Sequence, residues 1–472
     1  MPLRILHGDL HLAPLRTRMP FRYGIVTMTE TTYAFVRLRL EINHHTFEGI
    51  AADALPPKWF TKDPLKPIGA EVTEMLDVIR HALKIATGLV GDHPFDLWRQ
   101  LYALQDAWGA AHKLPSLLTH FGTSLVERAL LEAFCRAAGK PFWEMLRTGA
   151  LGLELARIHP ALAPFSPADL LPAQPLPQII ARHTVGLLDP LTDAEIPAAE
   201  KLDDSLPQSL VACIHAYGLR HFKLKLNGDA PRDLDRLRRI AAVLRDHAAA
   251  DFAFSLDGNE QFKSLGDFRA FWGQLHHDPL LRPFLDHLLF VEQPLHRQQA
   301  LHPDVAPAFA DWTDRPHIII DESDGALDSL PIALGLGYAG TSHKNCKGIL
   351  KGVANRCLLN LRQREQPARP TLMSGEDLCN VGPVALLQDL AVMAALGIAS
   401  VERNGHHYHR GLSQFPAEIQ KAILRHHPDL YQSAPAGWPT LKITAGSINL
   451  GTVNAAPLGV GFPVDVDQFT AG

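Results

Sequence analysis

Cysteine is scarce in this chain. The five present, Cys135, Cys213, Cys346, Cys357 and Cys379, are odd in number, scattered, and free of paired metal-type spacing. That excludes a disulfide scaffold and predicts reduced thiols in a cytoplasmic protein. Long apolar runs are missing as well: nothing reaches the roughly 18 residues of a membrane span, and the opening Met-Pro-Leu-Arg-Ile-Leu-His-Gly-Asp lacks the apolar core of a secretory signal. Neither a membrane nor an export partner is expected. Basic residues are not gathered into a stripe, and 45 Lys+Arg against 50 Asp+Glu leave a net charge of −5, so nothing points to nucleic acid. What remains is globular composition, 46% hydrophobic and 20% charged, in 472 residues, too many for one ordinary core. Two domains are expected.

Residues 1–150 read as a small α+β unit, strands first and helices after. The run from Tyr33 to Leu40 alternates as a half-buried strand, and Thr46–Ala51 is placed to pair with it as a hairpin. Before it, Pro20–Gly24 reads as a loop carrying aromatic and basic groups. From Glu71 to Leu146 the period turns helical, with Val72, Met75, Leu76, Ile79 and Leu83 on one face and a later helix from Ser124 stopped at Gly139. Residues 150–206 are crowded with proline and read as a connection or inserted loop, covering 151–180, into a first strand near Arg182. Strands and helices then alternate, seven or eight βα units in about 230 residues, which predicts a closed (β/α) barrel over 151–415. Residues 416–472 are left as a C-terminal segment.

One strand stands out. In His221-Phe222-Lys223-Leu224-Lys225-Leu226 the two lysines share one face and the apolar residues the other. An edge strand guarded by lysines would look the same in isolation. If the lysines face a site, desolvation and mutual repulsion predict that at least one can act as a base near neutral pH. Barrel chemistry sits where strands end, and the strand ends that follow carry acids: Asp257 with Asn259, Glu292, and the adjacent pair Asp321 and Glu322. Helix N-caps would explain any one of them; three in succession predict a carboxylate cage that needs a cation, Mg²⁺ or alternatively Mn²⁺ given oxygen ligands alone. The next strand end supplies Lys344, several strands around from Lys225. Two bases on opposite sides of a metal-held carboxylate could remove its α-proton and return one on either side.

The series Lys223-x-Lys225, Asp257-x-Asn259, Glu292-x-Pro294, Asp321-Glu322-Ser323 and Lys344-x-x-Lys347-Gly348 resembles the enolase superfamily, specifically its muconate lactonizing enzyme-like (mandelate racemase/muconate lactonizing enzyme) branch. The resemblance implies a modified (β/α)7β TIM-type barrel with an α+β N-terminal capping domain completed by the C-terminal tail, Pro457–Asp465 being the strand that returns to the cap. It implies Lys225 and Lys344 as the acid/base pair with Lys223 assisting, and Asp257, Glu292 and Asp321 as Mg²⁺ ligands, Asp321 preferred over Glu322. Pro20–Gly24 would be the substrate-specificity loop, so Arg22 and Tyr23, with Lys58 and Trp59, would help choose a small-molecule carboxylate. Asn259 and Glu376 would also lie near substrate, although for Glu376 or Asp377 a loop cap is an equal alternative. The implied outcome is racemisation or epimerisation, cycloisomerisation or syn-elimination. An acid-sugar dehydratase, or a binding barrel without turnover, is the alternative. A homo-oligomer, dimer or octamer, is implied too. The three histidines of His406–His409 invite a metal reading, but a polar rim loop is preferred because a hard-cation site already lies upstream.

Overall fold

The computed structural model describes residues 2–472. Its first layer is an antiparallel meander of β1 (Leu3–Tyr23), β2 (Val26–Ile42) and β3 (His45–Ala54), with Tyr33 opposite Ala54 and Leu38 opposite Gly49. Three helices cover it: α1 (Ile68–Ala86), α2 (Pro94–Ala111) and α3 (Ser116–Ala138). Met75, Val78, Ile79, Ala82 and Leu83 make the buried stripe of α1 at helical spacing. The helix α3 lies so close to β3 that a Cβ on Gly49 would come within 2.0 Å of the Ala129 carbonyl oxygen, so only glycine fits there. It ends at Gly139, which takes the left-handed conformation with φ 63°.

The second layer is a barrel of eight strands: β4 (Gln178–Val185), β5 (His221–Lys225), β6 (Ala253–Asp257), β7 (Leu288–Glu292), β8 (Ile318–Ile320), β9 (Gly340–His343), β10 (Leu372–Gly375) and β11 (Ser400–Arg403). Every neighbouring pair is parallel, and β11 closes on β4 with Arg403 opposite His183. Seven connections carry helices, the (β/α)7β arrangement; after β11 come the single turn Gly405–Tyr408 and then the helix Ala417–His426. Parallel strands buried on both sides explain why β7 and β8 read as continuous apolar runs rather than alternations.

Three local expectations are corrected. The Pro20–Gly24 loop is the far end of a long hairpin: Phe21, Arg22 and Tyr23 pair with Met28, Thr27 and Val26 after a register shift that begins at Arg16. Proline lacks the N–H for ladder pairing, and the irregular stretch that precedes Phe21 accommodates Pro20. The proline-crowded stretch is less irregular than expected, holding the short turns Leu155–Arg157, Pro160–Leu162 and Pro167–Leu170 before β4 opens at Gln178. Leu162 and Leu170 anchor it in the core. The strand that rejoins the first sheet is Thr470–Ala471, opposite Leu12 and His11, rather than Pro457–Asp465. Among the described residues no helix is long and apolar enough to cross a membrane, and the five cysteines are free and buried.

Candidate active site

The C-terminal ends of the barrel strands face the hairpin tip of β1 and β2 across a cavity. Its floor holds Lys223, Lys225, Asp257, Asn259, Asp321, Lys344 and Glu402; its roof holds Phe21, Tyr23, Met28 and Trp59. Period-two alternation decides which hairpin residues reach it: Phe21 and Tyr23 are buried towards the cavity while Arg22 points to solvent, so Arg22 is not a cavity residue. The Tyr23 hydroxyl donates to the Pro57 carbonyl oxygen at 2.9 Å, fixing the ring. Lys58 is turned away and is held by Glu71 at 3.2 Å.

Lys223 stands at the centre of the floor. Its Nζ lies 3.0 Å from Asp257 Oδ2, 2.8 Å from Glu292 Oε2, 2.7 Å from Glu376 Oε2 and 3.0 Å from Glu402 Oε2. Burial alone would lower its pKa, but the four carboxylates together hold it well above the ordinary lysine value. Lys344 is the same: burial opposes its charge, yet Asp321 at 2.6 Å and Glu376 at 3.5 Å keep it protonated, with the Trp59 ring centroid 4.5 Å away. The expectation that repulsion between Lys223 and Lys225 frees a base is therefore corrected for Lys223, because acids surround it. Lys225 Nζ donates to Asp257 Oδ2 at 2.5 Å.

The acids divide by their neighbours. Glu292, which has Lys223 as its one ion-pair partner among the described residues, is pushed well above the carboxylate range by burial and by Asp257 and Glu376. Burial works against Asp321 as well, but Lys344 and Lys347 outweigh it and hold it well below that range; Ser342 Oγ also donates to it at 2.5 Å. Glu376 is likewise held low by Lys223 and Lys344 against burial. Glu322 is the sequence neighbour of Asp321. Because β8 stops at Ile320, alternation does not extend to it; it is buried, and burial with Asp321 and Glu260 nearby raises it to about 8.

Carboxylate oxygens of Glu292, Asp321 and Glu376 come within 4.8 Å of one another, close enough to share a cation. Asp257 joins this trio through Lys223. The donor set fits a hard divalent ion: all ligands are oxygens, and Glu292 Oε2 accepts no directed hydrogen bond despite its 2.8 Å approach to Lys223. Asn259 sits at the rim with its backbone N–H on Asp257 Oδ1 at 2.9 Å and its own Oδ1 unpartnered. Sequence reading passed over Glu402 and Arg182. Glu402 lies in the last barrel strand, where it accepts from Thr184 Oγ1 at 2.5 Å, and Arg182 reaches across from β4 to Glu376 Oε1 at 3.1 Å. The signal for Glu402 was its position on a strand ending at the mouth; Arg182, inside β4 directly opposite Glu402, left none.

The histidine segment is not a polar rim loop. His406, His407 and His409 are all buried beneath the hairpin, where Phe21 stacks on Tyr408 at 4.1 Å between centroids.

A parallel barrel whose strand ends carry acids and lysines under a lid of antiparallel sheet is the frame of a small-molecule site. Solved structures with this whole arrangement match the chain from end to end. A dipeptide epimerase from Enterococcus faecalis V583, complexed with Mg and the dipeptide L-Leu-L-Tyr, superposes with TM-score 0.60 at 15% identity, covering 97% of this chain and 99% of that one. A 2-chloromuconate cycloisomerase from Rhodococcus opacus 1CP gives 0.61 at 13% identity, covering 99% of each chain. An enolase from Bradyrhizobium complexed with magnesium and mandelic acid gives 0.59 at 14%, again over 99% of each. The chain has the capped-barrel fold of these proteins. No protein-family model and no curated protein matches its sequence.

Proposed function

We propose that this chain is a Mg²⁺-dependent enzyme of the enolase superfamily, in the muconate lactonizing enzyme-like branch, that abstracts the α-proton of a small carboxylate substrate. The observation that carries the reading is the opposition of two lysines. Lys225 ends β5 and Lys344 follows β9, four strands apart either way around an eight-stranded barrel, so they face each other across one cavity. Each is held by a different acid, Asp257 or Asp321, at 2.5 and 2.6 Å.

Glu292, Asp321 and Glu376, with Asp257 beside them, are the residues that would hold the ion. Bound there, Mg²⁺ would supply positive charge beside the enediolate that forms when the α-proton leaves. Once those acids are engaged elsewhere, Lys225 and Lys344 are released from their ion pairs with Asp257 and Asp321, and each is placed to exchange a proton on its own side. Lys223, still near Glu402, remains the fixed cation of the floor. Phe21, Tyr23, Met28 and Trp59 exclude water and favour a substrate with an apolar part. Return of a proton on the opposite side gives racemisation or epimerisation; departure of a neighbouring group gives cycloisomerisation reversed or elimination.

The test is solvent deuterium exchange followed by mass spectrometry, with Mg²⁺, over pooled N-acyl amino acids, dipeptides and acid sugars. Label at an α-carbon is expected. Substrates turned over without α-label would overturn the proton-abstraction reading.

A further inference from the structure

Under the hairpin, away from the carboxylate floor, lies a second group of ligand side chains. His183 sits on β4, Cys213 on the helix Leu210–Tyr217, and His407 in the turn after β11; one donor atom from each falls within 4.8 Å of the others, and all three are buried. We propose that these three residues form a transition-metal site, with Zn²⁺ as the ion they suit, that clamps the seam where the barrel closes.

Donor chemistry separates this site from the first. Two imidazoles and a thiol are borderline-soft ligands that select zinc-like ions and leave Mg²⁺ to the oxygens of the floor. Spacing agrees. Tetrahedral zinc with bonds of about 2.3 Å to sulfur and about 2.0 Å to nitrogen needs S···N edges of about 3.5 Å; Cys213 Sγ stands 3.5 Å from His407 Nδ1. Each imidazole also has a group that can orient it. His406 Nε2 is 3.3 Å from His183 Nδ1, and Asp189 Oδ2 is 3.7 Å from His407 Nε2, the carboxylate–histidine pairing common behind metal ligands. Asp189 is itself fixed by the Tyr408 hydroxyl at 2.6 Å and the Gly186 N–H at 2.7 Å, while its Oδ1 has no partner.

Charge closes the argument. Metal uptake would release the Cys213 proton to solvent, and one thiolate with the Asp189 carboxylate would neutralise a dication in a buried place. Arg18, which donates to the His407 carbonyl oxygen at 3.0 Å, is already paired with Asp204 at 2.7 Å. Because Arg403 of β11 pairs with His183 of β4, an ion here would tie the last strand's exit turn to the first strand and its following helix.

The experiment is to produce the full chain in Co²⁺-supplemented medium, and to refold it in Co²⁺, with Mg²⁺ in excess throughout. About one Co²⁺ per chain is expected, with a thiolate-to-cobalt charge-transfer absorption in the near ultraviolet. Cys213→Ser should abolish that absorption, and His407→Gln, which keeps the thiol, should weaken Co²⁺ binding at least tenfold. Glu292→Gln, which alters only the carboxylate floor, should leave the absorption intact. A wild-type chain without the thiolate band by either route, or a band that survives Cys213→Ser, overturns the site. Neither result depends on turnover, so it stands apart from the proposed activity.

Discussion

Lys223→Met should convert a chain stable without added metal into one that depends on it. The side chain is replaced by one of similar length, so the loss is mainly of charge at a point 2.7 to 3.0 Å from four carboxylates. Asp257 retains Lys225 at 2.5 Å, Glu376 retains Arg182 at 3.1 Å, and Glu402 retains the Thr184 hydroxyl, but Glu292 is left with no cation. Removing one partner of a buried ion pair costs about 3–5 kcal/mol, and the lower end applies where the stranded acid can take up a proton. Glu292 is already pushed above the carboxylate range, so it would do so. The sign follows: an acid whose folded pKa is raised contributes its stability at low pH and loses it as pH rises. Without Lys223 to lower it, Glu292 is raised further than in wild type, so in metal-free buffer the deficit against wild type should be larger at pH 8 than at pH 5. Saturating Mg²⁺ should recover more stability in the variant than in wild type, since the ion replaces the missing charge. Denaturant unfolding at both pH values, with and without Mg²⁺, measures all of this. Equal stability of variant and wild type in metal-free buffer at pH 8 would refute the account of Lys223 as the internal counter-ion.

Other outcomes are expected from the same geometry. Lys225→Ala and Lys344→Ala should each lower α-proton exchange by about 10²- to 10⁴-fold without unfolding, because Asp257 keeps Lys223 and Asp321 keeps Lys347; exchange at the wild-type rate in either would remove that lysine from the chemistry. Asp257→Asn and Glu292→Gln should weaken Mg²⁺ binding by calorimetry, and unchanged affinity in both would sink the assignment of the floor as the cation site. Glu322→Gln should be milder than Asp321→Asn in Mg²⁺ affinity, because Asp321 and not Glu322 belongs to the compact trio; the reverse order would exchange their roles. Glu127, which accepts the N–H groups of Ile349 and Leu350 at 3.0 and 2.7 Å, is raised by burial from 4.5 to about 7. Its Gln variant should gain on wild type by up to about 3 kcal/mol as pH rises from 4.5 to 7, and a flat difference across that range would mean Glu127 ionises freely.

The barrel was legible because its signals are local. A parallel strand is a short apolar run ended by a turn, and its end can be read from the polar residue that breaks it, as at Asp257, Glu292 and Lys344. The hairpin tip was not, because Pro20 and Gly24 carry the composition of a loop; only pairing with Val26–Met28, through the irregularity after Arg16, makes Phe21–Tyr23 a strand. That single difference reverses which residues meet the cavity, putting Phe21 in and Arg22 out. The return of the chain to the first sheet was misplaced for a similar reason: two residues, Thr470 and Ala471, suffice to pair, and no periodicity exists over two residues.

At the site, sequence supplied the inventory of charges but not their balance. Two lysines in one strand read as mutually repelling bases, a conclusion that holds only if nothing opposite is nearer. Closure of the barrel brings Glu376 and Glu402, from strands more than 150 positions away in sequence, to 2.7 and 3.0 Å of Lys223, and the sign of its perturbation reverses. The same closure explains the histidines. Spacing between ligands is readable when one loop carries them all, but His183, Cys213 and His407 come from both ends of the barrel and converge only where the first strand meets the last. A chain whose cysteines show no paired spacing can still hold a thiol among imidazoles, because topology rather than sequence distance sets which groups share an ion.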